Sequence, residues 1–279
     1  MNKPHFTAQA NAKINLCLRI TGRQANGYHT LSSVFQEIEL HDILTFSPAT
    51  DYSFSCNNKT IPSDEQNLCT IAYHKMKQIL PESTDLQIHL QKNIPVGAGL
   101  GGGSSDAATV IKFLNKHWNI RLPESELCNI ANQIGADVAF FIRGKTQLAE
   151  GIGDLLTLFD LPGHYTILLV YPNIHISTHW AYQQFDLTKK KEGYKFGCLL
   201  ESGRIQWELF ENQFESVVFP AYPEIGAIKA RLQEAGALFA GLSGSGSTVF
   251  GIFKNRYDAE NTQRLFNTHN TFISTPITQ

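Results

Sequence analysis

Five glycines fall within the seven positions Gly97 to Gly103, inside the run Pro95-Val96-Gly97-Ala98-Gly99-Leu100-Gly101-Gly102-Gly103-Ser104-Ser105. A backbone without Cβ atoms can turn with positive φ and come close to a ligand. The run follows an alternating segment and precedes a helical one. Its N–H groups therefore sit at a helix start, where the dipole adds roughly half a positive charge. The chemistry predicted there is the cradling of a di- or triphosphate. Ser105 carries a hydroxyl where bridged phosphates would sit, which makes it a candidate Mg2+ ligand and equally a candidate helix cap. Lys13 and Asn15 lie two apart on one face of an alternating segment and so point into one place; a lone strand lysine otherwise reads as a solvated edge charge. Asp137 follows Gly135, ahead of the apolar run Val138 to Ile142. It could take a proton from a hydroxyl or simply hold a turn. Tyr28 and His29, behind the turn signal Asn26-Gly27, offer an aromatic face and a hydrogen-bonding edge for a pyrimidine, or form an ordinary exposed loop.

The elements that must position these groups follow from periodicity. Ile14, Leu16, Leu18 and Ile20 alternate with Lys13, Asn15, Cys17 and Arg19, which predicts a half-buried strand with one polar face. A second strand is predicted around Ile38 and Leu40, a third at Leu44 to Phe46, and another through Leu86, Ile88 and Leu90. Apolar residues at three- and four-residue steps predict a helix from Asn67 to Leu80, stopped by Pro81. After the glycines, a helix capped by Ser104 or Ser105 is predicted from Asp106 to Trp118, and a second from Pro123 to Gly135. Thr166 to Tyr171 reads as a buried strand, Lys189 to Gly193 as a polar surface loop, and Ile225 to Ala235 as a helix. A second glycine-serine loop, Gly241 to Ser247, leads into a strand from Thr248 to Phe253. Strands and helices mix without regular βα alternation, so the fold class is α+β. At roughly 150 residues per domain, two domains are expected, 1–155 and 156–279.

Composition removes several function classes. The 279 residues carry 23 Lys+Arg against 25 Asp+Glu, a net charge of −2, with 17% charged residues. That balance excludes a polybasic nucleic-acid binder and a disordered acidic tail, so any bound anion must be held by a few placed groups. The five cysteines, Cys17, Cys56, Cys69, Cys128 and Cys198, form no CxxC pair, and they read as reduced thiols of a cytoplasmic protein. The start of the chain lacks the apolar core of a signal peptide, and the longest apolar run, Ile167 to Tyr171, is far too short to span a membrane. Neither a nucleic acid nor a membrane is expected as a partner; oligomeric state is not legible.

Gly97, Gly99 and Gly102 also satisfy the dinucleotide pattern GxGxxG, a rival from another reaction class. That motif needs an acid about twenty positions on, at a strand end; here Glu124 and Glu126 follow Pro123 at a helix start. A Walker loop ending in Gly144-Lys145-Thr146 would need glycine where Ala139 stands, and the protein-kinase HRD and DFG motifs are missing.

Taken together, PVGAGLGGGSSDA from Pro95, Ala12-Lys13-Ile14-Asn15-Leu16, Gly27-Tyr28-His29-Thr30-Leu31, Ile134-Gly135-Ala136-Asp137-Val138 and Ser243-Gly244-Ser245-Gly246 resemble the motifs of the GHMP kinases. Within that family they look most like the branch serving the non-mevalonate isoprenoid pathway. The resemblance covers most of residues 11–154 and then 241–253. It implies a two-domain α+β fold with ATP and substrate in a cleft between the domains. The implied reaction moves the ATP γ-phosphoryl group, with Mg2+, to the 2-hydroxyl of a cytidine-diphosphate sugar alcohol. Lys13 and Asp137 match the catalytic pair, Asp137 as base and Lys13 as the orienting charge. Pro95 to Ser105 match the ATP loop, Asn67 and Lys92 positions near the adenine, and Asn15, Tyr28, His29 and Thr178 substrate contacts. Homoserine or mevalonate kinase activity is the alternative inside the family. One departure stands out: the family's Arg-x-Asp-Gly-Tyr-His is Gln24-Ala25-Asn26-Gly27-Tyr28-His29 here, with Arg23 one position before the usual cation.

Overall fold

The computed structural model describes residues 5–187 and 196–278; the expected surface loop Lys189 to Gly193 lies outside them. In chain order the elements are β1 (Phe6–Arg23), β2 (His29–Pro48), β3 (Ser53–Cys56), α1 (Leu68–Ile79), β4 (Leu86–Gln91), α2 (Gly102–His117), α3 (Glu124–Asn132), α4 (Ala136–Arg143), β5 (Thr146–Glu150) and β6 (Leu155–Leu158). There follow β7 (Thr166–Tyr171), α5 (Thr178–Gln184), β8 (Leu200–Glu201), β9 (Arg204–Ile205), α6 (Glu215–Ala221), α7 (Pro223–Glu234), β10 (Phe239–Leu242), β11 (Val249–Phe253), α8 (Arg256–Gln263) and β12 (Asn270–Ser274). The fold is α+β, as its irregular alternation predicts.

The chain divides into two compact units. The first takes the segment ending at Ala12, Leu40–Val96 and Gly101–Gly144; the second takes Lys13–Glu39, Gly97–Leu100 and the chain from Lys145 onward. The expected boundary at 155/156 cuts the chain once, whereas these units are each assembled from separated segments. The reason is the length of the first two strands. β1 has 18 residues and β2 has 20, and both run on from one unit into the other.

In the first unit the C-terminal half of β2 pairs antiparallel with β4, which pairs in parallel with β3. β4 alternates strictly between buried and exposed, the half-buried strand its sequence predicts. The helices pack on one another, α1 and α4 each on α2, and Phe46 of β2 stacks on Phe113 of α2 with centroids 3.7 Å apart. Tyr73 and Met76 of α1, Val110, Ile111 and Leu114 of α2, and Phe140 and Phe141 of α4 are all buried. Asn67 opens α1 as expected, its side chain accepting from the backbone N–H of Cys69 at 2.8 Å.

In the second unit the N-terminal half of β2 pairs with β5, and β5 with β6. A four-stranded sheet in the order β10-β11-β7-β12 is antiparallel throughout. All six residues of β7 are buried, as expected of a continuous apolar strand. One cluster gathers Leu18 and Ile20 of β1, Leu168 and Val170 of β7, Ile225, Ile228 and Leu232 of α7, and Val249 and Phe253 of β11.

Three local expectations are corrected. The second and third predicted strands are one strand, β2, because Asp42, which breaks the apolar alternation, is fully buried among polar partners rather than placed in a turn. The strand at Ile14 to Ile20 is buried on both faces, not one, since Lys13, Asn15 and Arg19 are 5%, 2% and 4% exposed. Their polar atoms are satisfied inside, Arg19 by Glu211 at 2.8 Å. The helix after the glycines starts at Gly102, four residues before Asp106, and Gly101 rather than a serine stands at its cap.

Candidate active site

Gly97, Gly99 and Gly101 have φ of +67°, +80° and +70°, while Ala98 and Leu100 between them are buried. Such alternation of positive and negative φ is the geometry from which backbone anion nests are made. Within the second unit this stretch is stitched to its neighbours. Ser243 donates its hydroxyl to the carbonyl of Gly99 at 2.9 Å, and Lys13 N–H donates to the carbonyl of Leu100 at 2.9 Å. A Cβ at Gly99 would lie 2.2 Å from the backbone oxygen of Ser243, so only glycine fits there. Asn212 fixes the second glycine-serine loop, donating to the carbonyls of Leu242 and Gly244 at 2.7 and 2.8 Å. His175 faces the first, its Nδ1 2.7 Å from where a Gly97 Cβ would stand.

Within the first unit, α2 opens with no side-chain cap and no acid in its first turn, so its N-terminal N–H groups and dipole are left for an outside anion. Ser105 lies one turn inside, its N–H donating to the carbonyl of Gly101 at 3.0 Å. Gly103 is exposed, and a Cβ there would meet nothing nearer than Leu68 Cδ1 at 3.8 Å. Gly102 has no such room, because Lys92 Nζ lies 2.8 Å from its Cβ position.

Lys92 is a buried ion-pair residue. Its ammonium donates to Asp106 Oδ2 at 2.7 Å and to Asp42 Oδ2, with all three side chains at most 5% exposed. Burial pushes the Asp106 carboxyl up to about 7 against the opposing pull of Lys92. Asn67 is likewise engaged, since its amide caps α1 and donates to the carbonyl of Pro62 at 2.7 Å. Both residues expected near an adenine therefore have their polar atoms committed within the protein.

Lys13 donates to Asn15 Oδ1 at 2.7 Å and stands 4.8 Å from the centre of the Phe35 ring. Asn15 donates in turn to Ser33 Oγ at 3.0 Å, and Ser33 to the carbonyl of Cys17 at 2.6 Å. The relay fixes which way the Asn15 amide faces and so aims the ammonium. Asp137 is the second residue of α4 and half-buried, with Gly135 at a cap that carries no side-chain hydrogen bond.

In the second unit a cavity of about 410 Å³ is lined by Arg23, His29, His179, Tyr182, Phe185 and Asp186, among others. His29 stacks on Tyr182 with centroids 4.9 Å apart and planes at 18°. Burial, helped by the Arg23 charge, holds the His29 pKa below its ordinary value, so the ring is neutral near pH 7. Tyr28 is 64% exposed beside it. The missing Arg-Asp pair is replaced by a neutral bond from Asn26 Nδ2 to Gln24 Oε1 at 3.1 Å. Arg23 donates to the carbonyl of Gly27 at 2.9 Å, which holds the turn. Thr178 opens α5 directly before the cavity-lining His179, its hydroxyl 2.9 Å from that of Ser245.

Comparison with known proteins separates the possible phosphate-binding families. The model described as the GHMP kinases N terminal domain matches residues 67–145, and that described as GHMP kinases C terminal matches residues 197–269. A 4-diphosphocytidyl-2-C-methyl-D-erythritol kinase of Prosthecochloris aestuarii is 44% identical over 261 residues, 91% of each chain. The chain belongs to the GHMP kinases. Among solved structures of this family, a 4-(cytidine 5'-diphospho)-2C-methyl-D-erythritol kinase superposes with a TM-score of 0.86 at 27% identity, over 97% of this chain and 99% of that one. A homoserine kinase from Cytophaga hutchinsonii, at 17% identity and a TM-score of 0.70 over 100% of this chain and 96% of that one, shares the fold.

GHMP kinases are ATP-dependent, and this one offers the anion-ready helix start that ATP needs. It offers no metal cage, for no group of three His, Cys, Asp or Glu side chains among the described residues could hold an ion. Ser105, the expected Mg2+ ligand, is 1% exposed. No disulfide joins Cys17, Cys56, Cys69, Cys128 or Cys198, and no helix among the described residues is long and apolar enough to cross a membrane. Sequence reasoning missed Asp42, Asp106, Tyr182 and Asn212. Asp106 stood in full view at the end of the glycine run, and its apolar neighbours in α2 were the available signal. Tyr182 and Asn212 lie where the family resemblance is loose.

Proposed function

We propose that this GHMP kinase transfers the γ-phosphoryl group of ATP to the 2-hydroxyl of 4-diphosphocytidyl-2-C-methyl-D-erythritol, a step of the non-mevalonate isoprenoid pathway, in the cytoplasm. The observation that carries this is 44% identity along nine-tenths of both chains to a kinase named for that substrate. In the proposal the α2 N-terminus and the backbone of Pro95 to Ser105 bind the phosphates, which bring Mg2+ with them as a chelate. Asn67 and Lys92 would flank the adenine by shape, their hydrogen bonds being already made. Asp137 takes the proton of the acceptor hydroxyl. Lys13, aimed by Asn15, stabilises the negative charge as oxygen and phosphorus meet. Asn15 thus serves the acceptor through Lys13. Thr178 and the exposed face of Tyr28 complete the acceptor side.

Cytosine would lie in the cavity beside His29, Tyr182 and Phe185. A neutral imidazole can both donate and accept at a pyrimidine edge, and stacking a base on an aromatic ring is worth about 1–3 kcal/mol. Tyr182→Ala and His29→Ala are therefore expected to raise KM for the cytidine acceptor by about ten- to a hundredfold, with KM for ATP little moved. A rise in KM for ATP alone would assign the cavity to adenine instead. Incubation of the purified protein with ATP, Mg2+ and each of the cytidine acceptor, homoserine and mevalonate, with ADP measured, tests the whole proposal. ADP formed only with homoserine or mevalonate would overturn it.

A further inference from the structure

Lys92 stands just before the glycine loop and Asp106 directly after it, and their side chains meet at 2.7 Å. Asp42 joins them from β2, its Oδ1 accepting from the backbone N–H groups of Asn93 and Ile94 at 2.5 and 2.8 Å. One ammonium thus ties the entrance of the loop, its exit and the neighbouring strand together. The same ammonium packs against Gly102, the first residue of α2.

As a stabilising device this cluster is poorly made. Two buried carboxylates face one cation, and Asp106 Oδ1 has no hydrogen-bond partner among the described residues. A buried acceptor left unpaired costs stability, and a buried ion pair is seldom better than apolar residues of the same volume. Burial already outweighs the attraction of Lys92 for the Asp106 charge. What the arrangement does supply is geometry, because it closes the base of a loop that is otherwise rich in glycine and costly in entropy to hold in one shape.

We propose that Asp106, acting through Lys92 and with Asp42, is a positioning residue that pins the base of the 95–105 loop and holds the first turn of α2 ready for nucleotide phosphates. It rests on the assignment of that loop to ATP. A preorganised loop binds more tightly because less order is lost on binding. Asp106→Ala is expected to raise Kd and KM for ATP by about tenfold, within the range of coupling energies between contacting groups. The acceptor KM and the kcat at saturating ATP should stay within about twofold, and Tm should hold or rise. Asp106→Asn, which keeps an oxygen for Lys92, should recover most of the ATP affinity.

Gly103→Val serves as the control on the loop itself. If Gly103→Val weakens ATP while Asp106→Ala does not, the pin is refuted and the nucleotide site stands. If Gly103→Val leaves ATP affinity intact, the nucleotide assignment fails and the pin falls with it. Equal rises in both KM values with a lowered Tm would make Asp106 a structural residue only and overturn the proposal. Should Asp106→Ala fail to fold, Asp42→Asn is read by hydrogen exchange of residues 95–105 in the nucleotide-free enzyme. Faster exchange confined to that loop supports the pin, and unchanged exchange refutes it.

Discussion

Asp137→Asn is expected to lower kcat by about 10²–10⁴, the usual loss when a general base is removed, while Kd for ATP stays near the wild-type value. Asparagine keeps the shape and place of the side chain at the second position of α4. The fold loses, among other things, one acid in a helix first turn, about 0.3–1 kcal/mol, and thermal melts show whether any fall in stability is large enough to imitate a catalytic defect. Lys13→Met should give a similar collapse of kcat, but with a measurable drop in stability. Its removal leaves Asn15 Oδ1 without the 2.7 Å donor that satisfies it in a buried strand, a loss of about 1–3 kcal/mol. Initial rates at saturating ATP and acceptor, read beside thermal melts and ATP titration, separate the two effects. Near-wild-type kcat in Asp137→Asn would remove the residue from its role as base.

Gly103→Val is expected to weaken ATP binding by at least about tenfold, or about 1.4 kcal/mol, with Tm almost unchanged. The site is exposed, its φ is not in the left-handed region, and the nearest atom to a new Cβ is 3.8 Å away. Valine is also a better helix residue than glycine, so the only thing obstructed is the approach to the α2 N-terminus. Neighbouring glycines cannot make this test. Gly99→Val would drive a side chain into the Ser243 carbonyl, and Gly102→Val would displace Lys92 from its buried pair, so loss of affinity there would be confounded with loss of structure. Isothermal titration of ATP into Gly103→Val decides the matter. Unchanged affinity would leave the loop as a structural turn.

How much of the site was legible depended on the range of the forces involved. Gly97 to Gly103 was readable because a backbone demand leaves a mark in residue type at its own position. The same holds for the helix that starts at Asn67 and for the alternation of β4. The serine cap was misjudged because Ser104 and Ser105 are good caps in isolation, yet α2 begins at Gly102, with Gly101 in the left-handed region at its cap. The replacement of an Arg-Asp ion pair by Gln24 and Asn26 was visible as a departure. That the two amides bond each other became visible only with their geometry.

By itself the sequence determined the α+β class, the glycine-rich loop that leads into a helix, and the family through five ordered motifs, each a stretch whose conformation or chemistry is local. Only the tertiary structure decided that Lys13 and Asn15 belong to a strand buried on both faces, and that Lys92 is locked between Asp42 and Asp106. It also decided that the partner of His29 is Tyr182 rather than its neighbour Tyr28, which stays 64% exposed. The physical reason is distance along the chain. Lys92 meets an aspartate 50 residues away, and Gly99 accepts its bond from a serine 144 residues away. Burial turns such meetings from optional into obligatory, since a polar group taken out of water must find its partner wherever the chain brings one.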